Sequence, residues 1–181
     1  MYAERDVRQT ALEVARSDTQ LTGSADEFLV AGELAQRSWV PSITPRGIEK
    51  TDILAQQSAT GHVVALQVKT STVGNPFRLG RKNETPARQW NEWYVFVALA
   101  EIGKRPRFFI VPTNVVAALL YVGHRVWLAG TKRDGTARKD SAIRAISVYQ
   151  IDGYEEAWNL LLGPADAVPE WVLERGGSDV G

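Results

Sequence analysis

Hydrophobic and polar positions alternate most cleanly over His62–Thr70, where Val64, Leu66 and Val68 interleave with Ala65, Gln67 and Lys69. Residues two apart on a strand face the same way, so this period predicts a strand with one apolar face. Gln67 and Lys69 share the other face, turned to a cleft or to water. Glu49–Gln56, with Ile53 flanked by Asp52 and Leu54, predicts a preceding strand, and Val40–Thr44 a further, shorter one. Gly61 between the last two strands predicts an antiparallel hairpin, which brings Asp52 beside Gln67 and Lys69.

The remaining pattern alternates helices and strands. Tyr2–Ser17 reads as a helix, and Leu21–Ser24 as a break. Ser24 then suits an N-cap, with Glu27 three residues on completing a capping box. The helix it opens runs from Ala25 to about Ser38, with Phe28, Ala31, Leu34 and Ala35 on one side. Val73–Asn91 holds Gly74, Pro76, Gly80 and Pro86 without a period and reads as a long loop, a kind of segment that is often functional. Trp93–Ala100 and Arg107–Val111 read as buried strands, and Pro112-Thr113-Asn114 opens a helix through Val115, Val116, Leu119 and Leu120. Gly130–Asp140 is a basic loop, Ile143–Ile151 a last strand, and Asp152 or Gly153 the start of a final helix. Together these predict an α/β fold in one domain over 1–163, with a tail over 164–181.

Composition narrows the chemistry. Of 181 residues, 44% are hydrophobic and 23% charged, ordinary globular usage. No apolar run is long enough to span a bilayer, so no membrane partner is expected. Met1–Asp6 lacks a basic region followed by an apolar stretch, so no secretory signal is expected and the chain reads as cytoplasmic. The absence of cysteine excludes disulfides, thiolate zinc sites and cysteine nucleophiles. His62 and His124 have no partner at metal-ligand spacing, which argues against a histidine-based zinc site, and His124 is expected to pack beside Trp127. The glycines fit no phosphate-binding loop. Net charge is zero, with 21 basic and 21 acidic residues, but the basic ones cluster. Arg78, Arg81, Lys82 and Arg88 follow soon after Lys69, where they can contact phosphates or simply be solvated.

A lone Gln-x-Lys pair on a strand is ordinarily a solvated face. Asp52 and the upstream Glu27 turn it into a candidate site. Asp52 offers a hard oxygen to Mg²⁺, Gln67 a neutral side-chain carbonyl, and Val68 a backbone carbonyl. Such an ion polarises a phosphodiester and activates water, while Lys69 stabilises the charge that builds on phosphate. Glu27 can join the metal shell or merely close its capping box.

Glu27 on a helix, Thr51-Asp52-Ile53-Leu54 and Gln67-Val68-Lys69-Thr70 together resemble the PD-(D/E)XK, or restriction-endonuclease-like, nuclease superfamily. The resemblance continues through Phe108–Pro112, His124–Trp127 and Trp158–Leu161. It implies a mixed central sheet flanked by helices with an αβββαβ core. It also implies a nuclease, most often a DNA endonuclease, dependent on Mg²⁺ (or Mn²⁺). Many such proteins are homodimers. Asp52, Gln67, Lys69 and Glu27 would be catalytic, with Asp52, Glu27, Gln67 and Val68 on the metal. Thr70, Ser71, Arg78, Arg81, Lys82 and Arg88 would touch nucleic acid. Two positions depart from the pattern: Gln67 stands where the motif has an acid, and Thr51 where it has proline. The alternative is a catalytically silent module of the same fold that binds nucleic acid or protein in a defence or mobile-element system.

Overall fold

A computed structural model describes residues 25–45, 51–101, 103–165 and 169. The readings of Tyr2–Ser17, of the Ser24 cap and of most of the tail fall outside them. The chain enters through helix α1 (25–36), then runs β1 (Trp39–Ile43), β2 (Ile53–Gln57) and β3 (Val63–Thr72). Next come β4 (Phe77–Gly80), a 3-10 helix (Arg81–Glu84), β5 (Glu92–Leu99), β6 (Arg107–Pro112) and α2 (Thr113–Ala129). The chain closes with β7 (Ile143–Ile146), a single-turn α3 (Val148–Ile151) and 3-10 helices Asp152–Tyr154 and Trp158–Leu162.

The result is a mixed α/β architecture around a five-stranded sheet ordered β1-β2-β3-β5-β6, with helices on both faces. The antiparallel hairpin expected at Gly61 is present, and Gly61 takes φ +73, where a side chain is strained. β3 and β5 then pair in parallel, which demands a crossover connection. An αβββαβ core would make that crossover an α-helix. Here residues 73–91 instead form β4 and the 3-10 helix, and β4 pairs with β7 in a separate two-stranded ribbon. The long loop expected here is therefore structured, because Phe77 and Leu79 alternate inward as a strand's should.

The sheet's two faces carry two cores. Val64, Leu66 and Val68 of β3 pack with Val95, Ile110, Val30 and Leu34 on the α1 side, with Trp158 below. Phe96, Phe109, Val116 and Leu120 pack on the α2 side with Phe77 and Ile146. The inner stripe of α1 is Asp26, Val30 and Leu34, while Phe28 is 66% exposed. Of the expected stripe, Leu34 is buried and Ala31 packs against the same core, while Phe28 and Ala35 are exposed. The expected strand Ile143–Ile151 is cut short because Ser147 and Gln150 form a capping box that starts α3. The expected final helix is a pair of 3-10 turns. Among the described residues no helix is long and apolar enough to cross a membrane.

Candidate active site

The site forms where the β2–β3 ladder ends. β2 pairs with β3 from Gln56↔Val63 to Ile53↔Leu66 and no further. Continued pairing would set residue 51 against Val68. Instead the Val68 N–H donates to Asp52 Oδ2 at 2.7 Å, while the Asp52 N–H donates to the Leu66 carbonyl at 2.8 Å. A strand residue's N–H and C=O lie on the same edge, so the Val68 carbonyl also points toward Asp52. Asp52 is thus held by backbone at the sheet's opening, beside the β3 face that carries Gln67 and Lys69.

Of the cleft or water expected on this face, Gln67 does not meet open water. It is 9% exposed, because its face of the sheet is roofed over near Tyr94, its partner in β5. Its Oε1 is buried and has no hydrogen-bond partner among the described residues. A buried amide oxygen left unpaired is costly, so this atom is the site's open valence. Tyr94 donates to Asn83 Oδ1 at 3.0 Å, and burial, then the negative charges of Asp52 and Glu92, push its phenol well above the usual range.

Lys69 is half-buried, and its amine is held below the usual lysine range. Burial is the largest cause. Lys82 acts in the same sense, and Asp52 and Glu27 oppose it. Asp52, Glu27 and Lys82 therefore all act electrostatically on the Lys69 ammonium.

Sequence reasoning missed Asp26. It is 4% exposed, receives a hydrogen bond from the Thr70 side chain, and has an Oδ1 without a partner among the described residues. Burial raises its carboxyl, with the Thr70 bond opposing. The readable signal was its i, i+4, i+8 spacing with Val30 and Leu34. Thr70 is thereby turned toward Asp26, and the Ser71 hydroxyl has the Asn75 and Pro76 carbonyls in reach of its one hydrogen, at 3.1 and 3.3 Å. Arg81 is tied to Asp140 at 2.5 Å. Arg78 and Arg88 are exposed.

Among the described residues no group of three or more His, Cys, Asp or Glu is placed to hold a metal. An ion here would rest on Asp52, the Gln67 and Val68 carbonyl oxygens, and Glu27. The buried Gln67 Oε1, which lacks a hydrogen-bond partner among the described residues, fits such an ion as a neutral oxygen ligand. Compared with known families, curated proteins and solved structures, the chain matches no family model, no curated protein and no solved structure.

Proposed function

We propose that the chain is a divalent-metal-dependent nuclease of the restriction-endonuclease-like kind, acting on DNA as an endonuclease. The observation that carries this reading is the buried Gln67 Oε1, without a hydrogen-bond partner among the described residues, on the strand face shared with Lys69, whose ammonium feels Asp52. An antiparallel β1–β2–β3 meander followed by the parallel β5 supports the fold assignment.

Asp52, Glu27, Gln67 Oε1 and the Val68 carbonyl would hold Mg²⁺ or Mn²⁺. Bound there, the ion would supply Lewis-acid activation of a phosphodiester and of a water. The chain's own residues do the rest. The Val68 N–H fixes Asp52 in one orientation. A lowered amine pKa brings Lys69 Nζ nearer the range where it exchanges a proton with an attacking water, and its charge otherwise stabilises the phosphate. Lys82, Arg78 and Arg88 offer backbone contacts that position DNA without reading its sequence.

Incubation of purified protein with supercoiled plasmid and Mg²⁺ or Mn²⁺ should yield nicked or linear product. Lys69→Ala should lower the rate by about 100-fold or more. Equal behaviour of wild type and Lys69→Ala with both metals sinks the reading. Gln67 favours a second reading, a silent nucleic-acid-binding module, since it removes a charge from the metal shell. Binding without cleavage, with affinity falling steeply as salt rises, would select it.

A further inference from the structure

A cavity of about 400 Å³ lies between α2, β7 and α3. Its volume falls within the range of small-ligand sites. Leu120, Trp127, Ile143 and Ala145 give it apolar walls, and Arg144 and Gln150 are polar residues at its lining. Both polar residues are more than nine-tenths buried, at 5% and 6% exposure. Among the described residues, Gln150 bonds through Oε1, to the Ser147 N–H, and Arg144 through Nε and Nη1. Gln150 Nε2 and Arg144 Nη2 are buried-residue donors left for a ligand.

Charge decides what kind of ligand. Arg144 pairs with Glu84 and lies 3.8 Å from Asp140, and Asp140 also takes Arg81 and His124. Glu84 and Asp140 offset Arg144 and Arg81, so the buried guanidinium carries no surplus charge for a free anion, while Arg138 lies over the Trp127 ring at 5.1 Å. The cavity suits a neutral, flat molecule whose edge accepts hydrogen bonds and whose faces are apolar. A nucleobase has that chemistry: acceptor oxygens and ring nitrogens on its edge and π faces.

The cavity is also tied to the candidate active site. One 3-10 helix, Arg81–Glu84, serves both. Glu84 pairs with Arg144 at the cavity, Arg81 with Asp140 at its edge, and Lys82 acts on Lys69. We propose that this cavity receives an unpaired nucleobase of the nucleic acid held at Lys69. The choice of a nucleobase over other flat heterocycles rests on the nuclease reading.

The test uses the full chain without divalent metal. Fluorescence anisotropy compares a fully paired duplex with the same duplex carrying one bulged base. Saturation-transfer NMR with the four nucleosides asks whether a base binds when free. The bulged duplex should bind about tenfold more tightly, as expected for one stacked base. Ala145→Trp, at an exposed strand position, should fill the cavity and abolish both that preference and nucleoside transfer, while leaving paired-duplex binding and the melting temperature unchanged. Gln150→Ala should weaken both. Transfer from nucleosides without a bulge preference would assign the cavity to free nucleosides. Equal affinity for the two duplexes together with no nucleoside transfer overturns the proposal, as does a preference that Ala145→Trp leaves intact. Metal-dependent plasmid cleavage with no base binding would remove this inference and keep the active site. Base binding that Ala145→Trp abolishes, without cleavage, would keep the cavity and remove the nuclease reading.

Discussion

Asp52 has two roles that substitutions can separate. Its carboxylate accepts the Val68 N–H at 2.7 Å, a backbone donor that the end of the β2–β3 ladder leaves unpaired. Asn keeps a carbonyl oxygen for that bond and removes the charge, whereas Ala removes both. Asp52→Asn should therefore unfold within about 1 kcal/mol of wild type, and Asp52→Ala should lose about 1–3 kcal/mol in urea titrations. Metal-dependent cleavage should vanish in both. Full activity in Asp52→Asn would show that the carboxylate is needed only to close the ladder. Asp26 gives a prediction with a pH sign. Burial raises its carboxyl above the ordinary 3.8. Below that ordinary value the folded and unfolded chains both hold the proton. Between it and the raised value the folded chain keeps a proton the unfolded chain has lost, so stability falls as pH rises through that window. Asp26→Asn removes the cost of the buried charge. Its melting temperature should match wild type at acid pH below the ordinary Asp range and exceed it at neutral pH. A constant difference across that range would contradict the assignment.

At the level of elements, the most legible parts of the sequence were those with a simple period. The alternation of β3 reports a real division: Val64, Leu66 and Val68 lie in one core, and Gln67 and Lys69 face the other way. That strand and the Gly61 turn bring Asp52 to its place, so most of the candidate site could be read in advance. Burial of Gln67 could not, because it depends on β4, β7 and α2 roofing that face from positions distant in sequence. Helix α1 misled for a different reason. Phe28 is the largest apolar side chain there, and hydrophobicity alone puts it inside. The helix turns the expected Leu34 to the sheet together with Val30 in place of Phe28, which carries Asp26 inward toward Thr70. Two substitutions check this rotation. Val30→Ala should cost about 1.5–3 kcal/mol at most, in proportion to the buried side chain removed. Phe28→Ser should stay within about 0.5 kcal/mol, as surface changes do. The reverse ranking would mean that α1 presents its other face. The crossover after β3 was unreadable as structure because β4 is only Phe77–Gly80 and finds its partner, β7, beyond two strands and a helix.

Across the whole molecule, stability rests on one sheet shared by two cores. β5 shows the arrangement most plainly, since Trp93, Val95 and Val97 enter the core under α1 while Tyr94, Phe96 and Ala98 enter the core under α2. Neither layer can leave without uncovering strands that the other layer needs. Ion pairs add little to this. Arg105 reaches Glu156 at 2.7 Å and Glu33 at 3.0 Å, joining α1 to the β5–β6 connection, but Arg105 is 56% exposed and such pairs are worth about 0–1 kcal/mol. Buried apolar area does the holding. Leu34→Ala, on the α1 face, should cost about 2–5 kcal/mol, and Phe96→Ala, on the α2 face, about 3–5 kcal/mol. Both should act on a single unfolding transition. Native-state hydrogen exchange provides the sharp measurement: amides of β3 and β5 should lose protection by the same free energy in each variant as its chemical unfolding shows. If Leu34→Ala loosened only α1 and left the β5 amides at wild-type protection, the two faces would be independent units. The division of the chain would then run through the sheet that carries Asp52, Gln67 and Lys69.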